Sequence, residues 1–247
     1  MKKIIELLTV IAVLMLSLVN AQAVTIYDAY WGGVVQRSGA TTYGDVIGYP
    51  EFAVDKIDVT VSGSQMTVTL SGNYFKTGEV YSWGPGDLYI STSGWKTMDG
   101  QSSGHHEKDR FEKSEGWNYV VSYTAGKVYN LNFDHLVYSN TSGHTGTWIY
   151  RDGQAYRGGY GPEVTQLGDI YGVSLIANAG TLTFNFPISG IPGYDNWPHW
   201  GFHWNMQCGN DVVEGTPTPV PEPSTMLLLG SGLLAFVGFR KRFKKSV

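Results

Sequence analysis

Ile57-Asp58-Val59-Thr60-Val61-Ser62-Gly63-Ser64-Gln65-Met66-Thr67-Val68-Thr69-Leu70 decides the fold class. Apolar residues fall on every second position on both sides of Ser62 to Gln65. That period puts Ile57, Val59 and Val61 on one face of a strand, and Met66, Val68 and Leu70 on the same face of its neighbour. The Ser-Gly-Ser-Gln turn joins them into an antiparallel hairpin with one buried side. A second hairpin runs from Tyr171 to Ala177 and from Thr181 to Phe186 around Asn178-Ala179-Gly180. Further strands are expected at Val24–Tyr30, Asp87–Ser91, Trp117–Tyr123, Lys127–Phe133, Thr147–Tyr150 and Trp200–Cys208. Helical periodicity is absent between 24 and 215. About ten short strands with Gly, Asn and Ser punctuation predict an all-β, two-sheet antiparallel β-sandwich, jelly-roll-like, over residues 24–215.

Composition agrees. The 247 residues are 42% hydrophobic and 15% charged, with 8 Trp, 16 Tyr and 10 Phe, which excludes a disordered chain. One Cys excludes a disulfide scaffold, and Cys208 reads as a core residue. A net charge of -4 argues against nucleic acid as a partner.

The two ends differ from the middle. Residues 1–23 read as a signal peptide: Lys2 and Lys3, then an apolar run from Leu7 to Val19, then Ala21-Gln22-Ala23 before Val24 as the signal-peptidase site. Thirteen residues are short for a membrane span, which takes about 20. At the other end, Thr216 to Pro223 (T-P-T-P-V-P-E-P) holds four of the ten prolines and predicts an extended spacer. Residues 224–239 are apolar and uncharged, a transmembrane helix in expectation, and 240–247 form a basic tail held in the cytoplasm. Removing 1–23 and 224–247 takes away seven Lys/Arg and one Glu, so the exported piece carries -10 rather than -4.

Val220-Pro221-Glu222-Pro223, a short Gly-containing apolar segment and a terminal Arg/Lys cluster resemble the PEP-CTERM sorting signal of Gram-negative bacteria. The resemblance implies exosortase as a partner, transient anchoring in the inner membrane, and a destination at the cell surface or in an exopolysaccharide matrix. The Asp28-Ala29-Tyr30-Trp31-Gly32-Gly33 opening and the Phe202-to-Val213 stretch resemble PEP-CTERM surface domains without an assigned activity.

Three constellations bear on chemistry. Glu107-x-Asp109-x-x-Glu112 resembles the strand motif of a family of retaining glucanases. That likeness implies Glu107 as nucleophile, Asp109 as helper and Glu112 as acid/base, with two carboxyls about 5 to 5.5 Å apart. Charged neighbours make a solvated loop between Ser93 and Trp117 the simpler reading, so the protein is expected not to be an enzyme. Among the histidines, His199 and His203 lie four apart on a strand, about 13 Å, too far for one ion. His105 and His106 beside Glu107 and Asp109 are the better ligand set, yet no metal site is expected. No cofactor is expected beyond Ca2+, for which Gly84-Pro85-Gly86-Asp87 and Arg151-Asp152-Gly153 are the loops to consider. Finally, Trp31, Trp83, Trp95, Tyr156, Tyr160, Tyr194 and Trp197 sit beside Gly, Asp or Asn. Aromatic rings there suit stacking on sugars, so exopolysaccharide is the expected ligand. A glycan-active hydrolase and a purely structural matrix component are the alternatives.

Overall fold

The structure, a computed structural model, describes residues 22–28, 42–43, 46–47, 49–77, 84–96, 109–139, 153–164, 172–176 and 179–219. The described residues form two six-stranded antiparallel sheets and one two-stranded ribbon. In chain order the strands are β1 (Gln22–Tyr27), β2 (Thr42–Tyr43), β3 (Val46–Ile47), β4 (Lys56–Ser62), β5 (Gln65–Ser71), β6 (Leu88–Ser91) and β7 (Tyr119–Val121), then β8 (Val128–Ser139), β9 (Gln154–Glu163), β10 (Gly172–Ile176), β11 (Thr181–Pro187), β12 (Gly201–Asn205), β13 (Val212–Gly215) and β14 (Thr218–Pro219). The first sheet has the order β10-β11-β5-β4-β1-β14, the second β13-β12-β6-β7-β8-β9, and β2 and β3 form the ribbon.

The first sheet follows the alternation. Ile57 pairs with Leu70, Val59 with Val68 and Val61 with Met66, all buried, and Leu182, Phe184 and Phe186 of β11 extend the same face. Against this face the second sheet sets Leu88, Ile90, Val121, Phe202, Trp204 and Val213. Cys208 is buried in that core as expected.

The second sheet departs from the simple sandwich. An antiparallel sheet ordinarily leaves one face to water, but β6, β7, β12 and β13 are buried at every residue. Their outer face carries a second apolar cluster of Tyr89, Phe111, Trp117, Val120 and Ala155. It is roofed by residues 109–117 and by the β8–β9 pair, whose register shifts let it curl over. The Asp87 amide donates to the Tyr156 carbonyl at 2.8 Å, which ties β9 back to the start of β6.

Several expectations need correction. The expected strands leave a gap between Tyr150 and Tyr171, yet Gln154 to Glu163 is strand β9. Gly158 and Gly159 hold φ of 86° and 74°, and a Cβ on Gly158 would meet the His135 carbonyl oxygen at 2.5 Å. The glycines are therefore what allow this strand to bulge and lie close to β8. The solvated loop expected between Ser93 and Trp117 is anchored to the sheet in its described second half: Asp109, Phe111 and Glu115 are buried, while Arg110 and Glu112 to Ser114 stay exposed. Strand pairing runs on through Thr218–Pro219, past residue 215, and the prolines there are tolerated because β14 is a sheet edge. Strands β6 to β9 form one meander in a single sheet, which is not the jelly-roll order.

Among the described residues no helix is long and apolar enough to cross a membrane. The signal peptide through Ala21, the strand expected at Thr147–Tyr150, the motif Val220 to Pro223, the apolar stretch 224–239 and the basic tail lie outside the described residues.

Candidate functional site

Two surfaces of the sheets carry polar side chains in order, one open to solvent and one sealed.

The open surface is the outer face of the first sheet, built by the other half of the alternation. The register aligns Thr25, Asp58, Thr69, Thr183 and Ser174 in one row across five strands. Ala23, Thr60, Thr67, Asn185 and Gly172 make the next row, and Tyr27, Lys56, Ser71, Thr181 and Ile176 a third. Rows repeat about every 6.6 Å along a strand and partners about every 4.8 Å across it. Side chains within the face are held by one another. The Thr25 hydroxyl donates to Asp58 at 2.7 Å, the Thr69 and Thr183 hydroxyls lie 3.3 Å apart, and the Gln65 amide donates to Asn185. Lys56 and Asp58 form an ion pair at 2.6 Å, and the Lys56 ammonium is held above its ordinary pKa chiefly by that hydrogen bond. These two are the charged residues of the three rows. The result is a hydroxyl- and amide-bearing face with Tyr27, 75% exposed, at its corner.

The sealed surface is the outer face of the second sheet. His203 projects from β12 opposite Phe202 and Trp204, as the alternation requires. Its ring lies 4.8 Å from that of Phe111 and 5.7 Å from that of Tyr89. Nε2–H donates to the Ala155 carbonyl at 2.8 Å, which fixes the tautomer, and Nδ1 lies 3.1 Å from Glu214 Oε2. Two acceptors do not approach so closely without a proton between them, so the pair shares one. Burial pushes His203 down to about 4, which favours the neutral ring. Glu115, from the turn Lys113–Glu115, accepts from the Glu112 amide at 2.6 Å and the Trp117 indole at 3.0 Å on one oxygen. Its other oxygen accepts from the Trp95 indole at 3.2 Å. Burial outweighs these donors and, with Glu214 nearby, pushes Glu115 up to about 9. At neutral pH Glu115 and His203 are therefore both uncharged. The cluster is enclosed by aromatic rings, and among the described residues no group of three metal-ligating side chains converges.

A pH dependence follows. Between 4.5, the ordinary value for Glu115, and about 9 the folded chain keeps a proton that the unfolded chain releases, so stability falls as pH rises. His203 acts oppositely and only in acid. Between 6.5 and about 4 the unfolded chain takes up a proton that the fold refuses, and stability falls as pH drops. From pH 7 to 9 Glu115 sets the slope, at most about 1.4 kcal/mol per pH unit. Glu115→Gln is expected to flatten the melting temperature across pH 7–9, and an unchanged slope contradicts the assignment.

The sequence-predicted residues distribute as follows. Glu107, His105 and His106 lie outside the described residues; Glu112 is exposed and Asp109 buried. His199 is exposed on the turn Tyr194–His199. Trp31 and Trp83 also lie outside. Trp197 is 5% exposed and packs in the main core. The Trp95 indole is engaged by Glu115. Tyr160 donates to Asp87 at 2.6 Å, and burial pushes its phenol up to about 12. Tyr156 is half-buried beneath Arg157, whose guanidinium lies 5.9 Å from its ring centre. Tyr194 is 42% exposed. In the Gly84-to-Asp87 loop both Asp87 oxygens accept hydrogen bonds, from the Tyr123 amide on one side and from Gly158 and Tyr160 on the other. Of the signal-cleavage residues, Ala23 is exposed and Val24 is 3% exposed, both within β1. The hydroxyl rows were present in the sequence as the polar half of each alternation; the Glu115–His203–Glu214 cluster had no sequence signal.

These features define an antiparallel β-sandwich whose final strand leads straight into a basic, apolar tail. Residues 219–242 match the PEP-CTERM protein-sorting motif, so the chain carries a PEP-CTERM sorting signal. The signal implies export, membrane-anchored transit and processing by an exosortase. No curated protein and no solved structure matches the chain.

Proposed function

We propose that the protein is a non-enzymatic component of the cell surface or extracellular matrix that associates with exopolysaccharide through the outer face of its first sheet. The hydroxyl and amide rows across β1, β4, β5, β11 and β10 carry this reading. A polymer of hydroxyl-bearing rings offers donors and acceptors that such a face can bond. Tyr27 offers a ring for stacking at the edge, as Tyr194 does on its turn. A single Lys–Asp pair gives the face little charge, and a net of -10 on the exported piece opposes polyanions, so the favoured ligand is a neutral polysaccharide.

The test is retention of the mature protein on polysaccharide from the producing cells, with and without calcium. Thr67→Val, Thr69→Val and Thr183→Val together keep the branched side chains that suit a strand and remove three hydroxyls. At about 0.5–1.5 kcal/mol per hydrogen bond, the triple variant is expected to be retained at least about 10-fold more weakly. Absence of retention of the wild type in both conditions contradicts the proposal.

A further inference from the structure

The two six-stranded sheets end on β10, β14, β13 and β9, and three of these edges are guarded. β14 ends on Pro219, which has no N–H to offer a further strand. β9 carries Pro162 and is bulged at Gly158 and Gly159. β13 is buried at every residue. β10 has none of these devices. Gly172-Val173-Ser174-Leu175-Ile176 holds no proline and no charge, and its register on β11 is unbroken. Among the described residues no strand pairs with its outer side. Such an edge is a template for another strand.

What this edge leaves uncovered is ordered. In β1, β4, β5 and β11 the inward apolar residues are buried, whereas Val173 and Leu175 pack on the same core and stay only half-buried. On the outer face Ile176 is 53% exposed. At the other end of the strand a Cβ built on Gly172 would meet no atom within 4 Å, so there is open space beside it.

These features complement one another across a two-fold axis. Directly opposed residues point to the same side of a sheet, so inward residues must oppose inward residues. An antiparallel pair centred on Ser174 does this with all five residues. Val173 opposes Leu175 of a second copy, Ser174 opposes Ser174, and Ile176 lies over the open space at Gly172. A one-residue slip would set the core side of one copy beside the solvent side of the other.

We propose that β10 pairs with β10 of a second copy of this chain, antiparallel about Ser174, joining two first sheets into one of twelve strands. The contact is small. A five-residue strand pair is about 17 Å long and buries less than the roughly 1,200 Å² at which stable complexes begin, so the dimer is weak and forms at high local density. Pairing also sets both hydroxyl-bearing faces on the same side. That consequence rests on the polysaccharide reading above; the pairing itself does not.

The experiment is sedimentation equilibrium of the mature protein, without polysaccharide, up to about 1 mM. Wild type is expected to associate as concentration rises. Ser174→Lys, at an exposed position, sets two ammonium groups opposite each other at the axis and is expected to weaken association about fivefold. Ser174→Glu alone should do the same. An equimolar mixture of the two variants brings Lys opposite Glu and is expected to associate at least as tightly as wild type. Thr60→Lys adds the same charge at an exposed position of β4, away from the edge, and should associate as wild type. A wild type that stays monomeric leaves the edge to some other strand and overturns the proposal. So does wild-type association in Ser174→Lys, a mixture no tighter than either variant alone, or an equal loss in Thr60→Lys. Failure of retention on polysaccharide with self-association intact would overturn the polysaccharide reading alone.

Discussion

Trp204→Ala is expected to cost about 3–5 kcal/mol, a large part of the stability of a domain this size. Trp204 is fully buried on β12, with its ring 5.9 Å from Tyr74 and 5.6 Å from Phe75. These two belong to the turn Asn73–Lys76 that follows β5, so one indole joins the second sheet to the connection leaving the first. Truncation empties the space between the layers and also strands the Gly86 carbonyl, which accepts from the indole at 3.1 Å. Trp204→Phe separates the two effects, since it keeps most of the packing and loses the hydrogen bond. It is expected to cost about 1–2 kcal/mol. Urea unfolding of the mature protein, followed by near-ultraviolet circular dichroism, reads both. A loss below about 1 kcal/mol for Trp204→Ala contradicts the placement of this residue at the centre of the core.

Asp87→Asn is expected to cost about 2–4 kcal/mol despite equal size. Asp87 is buried, and its carboxylate accepts from the Tyr123 amide at 2.8 Å, the Gly158 amide at 2.9 Å and the Tyr160 hydroxyl at 2.6 Å. Burial raises its pKa while these donors lower it. A carboxylate is the one side chain here with acceptors enough for all three. Asparagine turns one oxygen into an NH2 group facing other donors, either at Tyr123 or at Gly158 and Tyr160. The damage should be local first. Asp87 ties the start of β6 to β9 and to the turn after β7, so amide exchange in Gln154 to Glu163 is expected to accelerate before exchange in β4 and β5. Uniform acceleration across both sheets contradicts that view of β9 as a separately pinned layer.

How much of this was legible in the sequence depended on whether one face of a strand meets water. In β4, β5, β10 and β11 it does, and alternation marked the strands and their inward residues. In β6, β7, β12 and β13 neither face does, so the pattern becomes a short run such as Leu88 to Ser91, which looks the same whichever way the strand is turned. β9 is harder still. Its glycines resemble loop composition, yet Gly158 and Gly161 are there because backbone oxygens of His135 and Asn130 leave no room for a Cβ. Residues 109–117 looked solvated because Asp, Arg, Glu and Lys dominate them. Phe111 and Trp117 were the missed signal: their rings stack at 5.2 Å and draw the segment, with Glu115, onto the sheet. The same attention to environment redistributes the aromatic residues. Trp197 fills the core and Tyr160 serves Asp87, while the open face of the first sheet is made of Thr, Ser and Asn. The tail was legible outright, since its order of Pro-Glu-Pro, apolar stretch and basic cluster is a property of sequence rather than of packing.

The sorting signal and the charge of the mature domain both turn on export and tail removal. Intact-mass measurement of the protein isolated from the surface of its producing cells tests them together. The expected chain begins at Val24 and ends near Pro223. A chain that still carries Arg240 to Val247 contradicts it.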